Sequence, residues 1–123
     1  MASSRMSVFP ALAVLLGIVM VGGGAMKLVG QAGVATQFAT FGLPACFRSL
    51  VGTFEVIGGV LLLVPSTTPA GSLILGTIMV GAAWAHAANG QYAEIVPPAV
   101  LLILFLAIFN RSRTRAVQLL RGA

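Results

Sequence analysis

Long runs without a charged side chain are the feature that most restricts how this chain of 123 residues can fold. The first run covers residues 7–26, and a helix needs about 20 apolar residues to cross the hydrocarbon core of a bilayer. Breaks rich in Gly, Pro and polar residues divide the rest into further runs of similar length. The predicted spans are about 7–29, 45–64, 70–88 and 93–110, followed by a basic cytoplasmic tail at 111–123.

Composition supports the same class of protein. Hydrophobic residues make up 59% of the chain and charged residues 7%, whereas about 25% of the residues in soluble domains are charged. Nine charges cannot cover the surface of a soluble protein of this size. The sequence therefore predicts an all-α integral membrane protein, a four-helix transmembrane bundle that forms one membrane domain over residues 1–123.

Cysteine and histidine counts limit the chemistry. Cys46 is the single cysteine and His86 the single histidine, which excludes an intrachain disulfide, a CxxC redox pair and a cysteine-based zinc site. We expect no metal site, and we expect Cys46 to be a small apolar filler. No cofactor is evident from the motifs.

The positive charges indicate an orientation. Four of the seven cations lie in the tail, and Arg5 falls on the same side if there are four spans; the tail cations are Arg111, Arg113, Arg115 and Arg121. Because cytoplasmic segments carry the excess of Lys and Arg, the prediction is N-in/C-in. A basic tail after an apolar run is typical of contact with the lipid bilayer and not with nucleic acid.

One carboxylate is too deep to be ignored. Glu55 lies well inside the second span, where an unpaired carboxylate costs several kcal/mol. Lys27, Arg48 and His86 fall in the same half of the membrane, so we predict a buried polar cluster in which Glu55 pairs with Lys27 or Arg48. Taken singly, the two cations are also compatible with snorkelling to the headgroups, and His86 with a helix-end histidine bonded to a backbone carbonyl.

Small residues accompany these polar groups. Arg48, Gly52, Glu55, Gly59 and Leu62 form one stripe at helical spacing, and His86 has its own stripe of small residues. Glycines allow two membrane helices to approach closely. The residues expected to support helix packing are Gly52, Gly58, Gly59, Gly76 and Gly81.

These segments resemble the DoxX-like family of small membrane proteins. The resemblance rests on GAMKL at 24–28, FGLP at 41–44, VGTFEVIGG at 51–59, and His86 late in the third span after Gly81. It implies a four-helix bundle in a bacterial inner membrane, with Lys27, Glu55 and His86 matching the Lys, Glu and His positions of the family. Family members are linked to quinone-associated sulfur oxidation and to redox-defence assemblies.

Three functions are compatible with these features. The leading hypothesis is an accessory or anchoring subunit of a larger, redox-linked membrane assembly, not catalytic on its own, which packs against other membrane subunits or against copies of itself. The alternative is an oxidoreductase component that binds a quinone or another small molecule in a pocket formed by Lys27, Glu55 and His86. A proton-coupled transporter that uses Glu55 is a third reading, and an ion pair that only locks the bundle is at least as compatible with the sequence as a reactive one.

Overall fold

A computed structural model describes residues 2–122 of the chain, and its side chains from Val8 onward. This part is all-helical, in agreement with the predicted fold class. Five α-helices follow one another: α1 (Ala2–Val29), α2 (Ala32–Thr40), α3 (Ala45–Leu63), α4 (Thr68–Ala88) and α5 (Val96–Arg121). A short 3-10 turn at Ala93–Ile95 precedes α5. All but α2 are long and apolar enough to cross a membrane, which confirms the four spans.

The spans pack as an antiparallel bundle in chain order. Helix α1 packs on α3, α3 on α4, and α4 on α5, while α1 and α5 touch only lightly. The core lies between the helices at Leu62, Leu75, Met79, Phe105 and Ile108. We call the end of the bundle that carries α2 and the 89–95 connection the loop end. The opposite end, with the α3–α4 turn and the arginines of α5, is called the tail end.

Tight turns explain how the chain reverses at each end. Gly30, Gly42 and Gly90 have φ angles of 71°, 73° and 71°, a left-handed conformation that glycine adopts without steric cost. At the tail end, the hydroxyl of Thr67 donates to the carbonyl of Leu61 at 2.9 Å, and that of Thr68 donates to Leu62 at 3.1 Å. These bonds satisfy carbonyls that the end of α3 leaves unpaired, as a membrane environment requires.

Two predicted boundaries differ from the structure. Helix α1 begins at Ala2 and not near residue 7, and Pro10 lies inside it. The basic tail is not a separate segment, because α5 continues to Arg121. No Gly or Pro occurs between Pro98 and Gly122, and 26 residues at about 1.5 Å each extend about 39 Å, beyond a hydrocarbon core of about 30 Å. Arg5 and Ala123, which belong to the orientation and tail predictions, lie outside the described side chains, and the N-in/C-in orientation stays a prediction.

Candidate functional site

Two glycine-to-glycine contacts bring the backbones of α1 and α3 together. A Cβ built on Gly24 would lie 2.6 Å from the carbonyl oxygen of Gly52, and one on Gly52 would lie 2.8 Å from that of Gly24. Gly17 and Gly59 meet in the same reciprocal way, at 2.7 and 2.8 Å. No side chain fits at these distances, so only glycine permits this approach. We call these four residues the glycine seam.

Lys27 and Glu55 form an ion pair within the loop-end half of this interface. The distance from Lys27 Nζ to Glu55 Oε1 is 2.8 Å, and the side chains are 21% and 4% exposed. A Cβ on Gly23 would lie 3.3 Å from Glu55 Oε2, so the missing side chain at that position makes room for the carboxylate. Lys27 therefore does not simply snorkel to the headgroups; its amine compensates the charge of a buried carboxylate.

Arg48 acts on α1 in a different way. Its Nε donates to the backbone carbonyl of Lys27 at 3.0 Å, and the Gly30 amide donates to the same oxygen at 3.3 Å. This carbonyl lies in the last turn of α1, where unpaired oxygens form the negative end of the helix dipole and favour a cation. A Cβ on Gly30 would lie 3.1 Å from Arg48 Nη2, so glycine also leaves space for the guanidinium. Arg48 caps α1 and Lys27 is the partner of Glu55.

His86 lies outside the ion pair. Its Nδ1 is 2.8 Å from Gln91 Oε1, and its ring packs edge-on against Phe41 with the centroids 5.2 Å apart. The partner is thus a side-chain amide and not the backbone carbonyl considered from the sequence. Phe41 follows α2, so His86 joins α4 to the end of α2 at the loop end. The structure brings Lys27, Arg48 and Glu55 together and leaves His86 in a second, aromatic cluster.

The electrostatics of the pair are those of a closed internal contact. In the described part of the chain, every buried side-chain nitrogen and oxygen has a hydrogen-bond partner. The described residues also contain no group of three His, Cys, Asp or Glu side chains that could hold a metal ion. Cys46 is exposed at the start of α3 and fills no interior space. The ion pair as it stands joins two helices and neutralises two charges.

The glycines expected to support packing have three different roles. Gly58 contributes to the α3–α4 contact, where its Cβ would lie 2.8 Å from Leu75 Cγ. Gly76 is buried, but a Cβ there would make only ordinary contact with Leu102 at 3.5 Å. Gly81 is exposed, and a Cβ there meets no described atom within 4 Å. Gly81 is therefore exposed and does not pack against any of the described residues.

Three glycines of the interfaces were not predicted from the sequence. Gly17 and Gly24 complete the glycine seam, and Gly71 brings α4 within 2.6 Å of the carbonyl oxygen of Gly58, measured from a Cβ built on Gly71. A signal for the seam exists in the sequence. Gly17 and Gly24 are seven residues apart, as are Gly52 and Gly59. Seven residues are two helical turns, so each pair lies on one helix face and the two faces match in antiparallel register.

This fold and this site define an integral membrane protein of four spanning helices, in which one internal ion pair joins the first two spans. The model of the DoxX-like family matches residues 11–108, well over half of the chain. The protein belongs to the DoxX-like family. No curated protein and no solved structure matches the chain.

Proposed function

We propose that this protein is an accessory membrane subunit that anchors a larger, redox-linked assembly in the inner membrane of a bacterium. The observation that carries the proposal is the Lys27–Glu55 ion pair. Lys27 Nζ and Glu55 Oε1 lie 2.8 Å apart inside a glycine-lined interface, so the two charges neutralise each other. A carboxylate that is paired and enclosed in this way stabilises the contact between two helices, which suits a subunit with a structural role. The redox character of the assembly and its cellular location come from the family resemblance.

Two exposed glycines support the proposal that this protein binds a partner protein. Gly22 on α1 and Gly81 on α4 are exposed, and a Cβ at either position meets no described atom within 4 Å. Glycine in a helix interior costs roughly 1 kcal/mol relative to alanine in water, and no packing against the described residues offsets this cost at the two sites. In membrane proteins small residues mark the faces where another helix approaches closely. We infer that these two faces receive helices of other subunits.

Native purification tests the proposal. The full-length protein, tagged and extracted in a mild detergent, is expected to co-purify with at least one other membrane protein that can be crosslinked to it. Gly22→Leu and Gly81→Leu should reduce this recovery while the bundle stays folded. Ala11→Leu and Ala70→Leu are matched controls, because they enlarge exposed small residues at the tail end of the same helices. A lone monomer or simple homodimer would contradict the proposal.

A second variant separates a structural pair from a reactive one. Replacing both Lys27 and Glu55 with apolar residues removes the charges but keeps the volume, which is often tolerated for buried ion pairs. The Lys27→Met/Glu55→Leu protein is expected to fold and to keep its partner. A folded double variant that loses the partner or the activity of the assembly would show that the charges themselves are functional.

His86 supports a second candidate function, the binding of a quinol by an oxidoreductase component. The candidate uses the tautomer in which Nδ1–H donates to Gln91 Oε1, 2.8 Å away, and Nε2 is left as an acceptor. An acceptor suits the hydroxyl of a quinol better than the carbonyl of a quinone, and Phe41 beside the ring offers an aromatic surface. In this candidate function Lys27 and Glu55 do not bind the quinol and only join α1 to α3.

A binding titration with a short-chain ubiquinol analogue tests this candidate. His86→Ala should abolish binding, and Gln91→Ala should weaken it because the tautomer is no longer fixed. Phe38→Leu is a control, since Phe38 lies on α2 and its ring packs on Phe41, whereas the ring that packs on His86 is that of Phe41. Equal binding by the wild type and His86→Ala would exclude the site. Proton-coupled flux in liposomes that is lost in Glu55→Gln would instead favour a transporter.

A further inference from the structure

A cavity of about 200 Å³ opens at the tail end of the bundle, far from the ion pair. Helices α1 and α5 touch only lightly there, and the cavity lies between them with the end of α3 behind it. Its inner wall is apolar and includes Ala13, Leu62 and Ile108, which are all buried. Its mouth carries Arg111, Arg115 and Ser112, so the cavity joins an apolar interior to a basic rim.

Neither of the described acidic side chains lies near the basic rim. The two acidic side chains are Glu55, which Lys27 binds, and Glu94, which lies in the 3-10 turn at the loop end. The guanidinium of Arg111 lies over the Phe9 ring, 5.0 Å from its centroid, and this cation–π contact holds it beside α1. Arg115 follows one helical turn later. Two arginines thus flank one opening, with no acidic side chain of this chain to neutralise them.

The position of the rim along α5 selects the chemistry of the occupant. Arg111 follows directly after the apolar run that ends at Asn110, so the rim lies where the hydrocarbon core gives way to headgroups. Arginine binds phosphate through paired N–H groups, and basic pockets between membrane helices bind anionic lipid headgroups. An occupant must therefore offer a phosphate at the surface and an apolar chain below it.

A second groove shows that shape alone does not make such a site. It measures about 190 Å³ and lies between α4 and α5, where residues such as Leu73, Val80 and Leu106 line it. Its lining contains no charged residue. Nothing in it would distinguish one lipid from another. The tail-end cavity differs by its two arginines, and this difference gives it selectivity for charge.

We propose that the tail-end cavity binds one anionic phospholipid, whose phosphate lies between Arg111 and Arg115 and whose first acyl carbons enter between α1 and α5. A volume of about 200 Å³ is smaller than the roughly 300–1,000 Å³ of pockets that enclose a drug-sized ligand, so it holds only the upper part of a lipid. The rest of the acyl chain lies outside the cavity, in the bilayer. The lipid fills the gap that the light contact between α1 and α5 leaves.

Native mass spectrometry of the full-length protein in detergent tests this site. The probes are phosphatidylglycerol and phosphatidylcholine with identical acyl chains. The wild type is expected to retain one phosphatidylglycerol in preference to phosphatidylcholine. Arg111→Gln/Arg115→Gln should weaken that binding about tenfold or more, because each of the two arginines strengthens the binding of an anionic headgroup several-fold. Arg113→Gln/Arg121→Gln removes the same charge from the same helix and should bind like the wild type.

A steric variant tests the apolar part independently of charge. Val14 lines the cavity and is exposed, so Val14→Trp should obstruct the opening without disturbing the core; Val19→Trp, on an exposed position outside the cavity, is its control. Loss of phosphatidylglycerol in Val14→Trp alone supports the site. Equal weakening by both arginine pairs, equal retention of the two lipids, or no effect of Val14→Trp would overturn it.

Discussion

The helix pair α1–α3 and the helix pair α4–α5 are held together in different ways. Helices α1 and α3 meet backbone to backbone at the glycine seam and are joined by the Lys27–Glu55 ion pair. Helices α4 and α5 meet through interlocking side chains, among them Met79, Phe105 and Ile108. Lipid tails are as apolar as leucine, so neither pair gains from a hydrophobic effect between helices. The α1–α3 contact is stabilised by the close approach of the two backbones and by the ion pair, whereas the α4–α5 contact is stabilised by side-chain packing.

This contrast has a consequence for substitutions. A helix pair in backbone contact tolerates no added atoms, whereas one in side-chain contact can adjust. The same Gly→Ala change should therefore damage one pair and spare the other. Removing a charged partner should lower stability only at the α1–α3 contact, where the two backbones approach closely.

The largest effect is expected from removing one partner of the ion pair. Lys27→Met leaves the Glu55 carboxylate buried without a counter-charge, which costs about 3–5 kcal/mol of unfolding free energy. Reversible unfolding in mixed micelles of detergent and SDS measures this loss. Lys27→Arg is the control because it keeps the charge. A loss below about 1 kcal/mol in Lys27→Met would mean that the pair does not hold α1 against α3.

The next effect should come from the seam itself. Gly24→Ala places a methyl group where only 2.6 Å separates it from the Gly52 carbonyl oxygen, so we expect a loss of about 1–3 kcal/mol by the same assay. Gly22→Ala, two residues earlier on the same helix, meets no described atom within 4 Å and should leave stability unchanged or raise it by about 0.4–1 kcal/mol. Similar losses in both variants would argue against a close backbone contact.

A smaller effect is expected from the cap on α1. Arg48→Gln removes the cation that binds the Lys27 carbonyl, which should cost about 1 kcal/mol and loosen the connection at the loop end. Amide hydrogen exchange of residues 27–44 should become faster, while exchange in α4 and α5 should not change. Slow exchange throughout that connection in Arg48→Gln would show that the cap is dispensable.

The smallest effect tests the other helix pair. Gly76→Ala adds a methyl group 3.5 Å from Leu102, an ordinary contact, and it also restricts the unfolded chain. We expect the unfolding free energy to stay the same or to rise by about 0.4–1 kcal/mol. A loss comparable with that of Gly24→Ala would remove the distinction between the two interfaces.

The sequence predicted the fold well because the four apolar runs and their breaks are explicit. It also predicted a partner for Glu55, since a short carboxylate at that depth has no route to water. It could not assign Gly81, because membrane lipid and protein interior are equally apolar and composition does not show which helix face is covered. The position of His86 beside Phe41 depends on how α2 folds back, and the helical tail depends on the absence of a breaker before Gly122.

A double-mutant cycle between Lys27 and Glu55 tests the central claim most directly, namely that the two charges lock α1 to α3 by compensating each other. The unfolding free energies of the wild type, Lys27→Met, Glu55→Leu and the double variant are measured in the same mixed micelles. Each single variant is expected to lose about 3–5 kcal/mol and the double variant to lose less than either. A double variant whose loss equals the sum of the two single losses would contradict the claim.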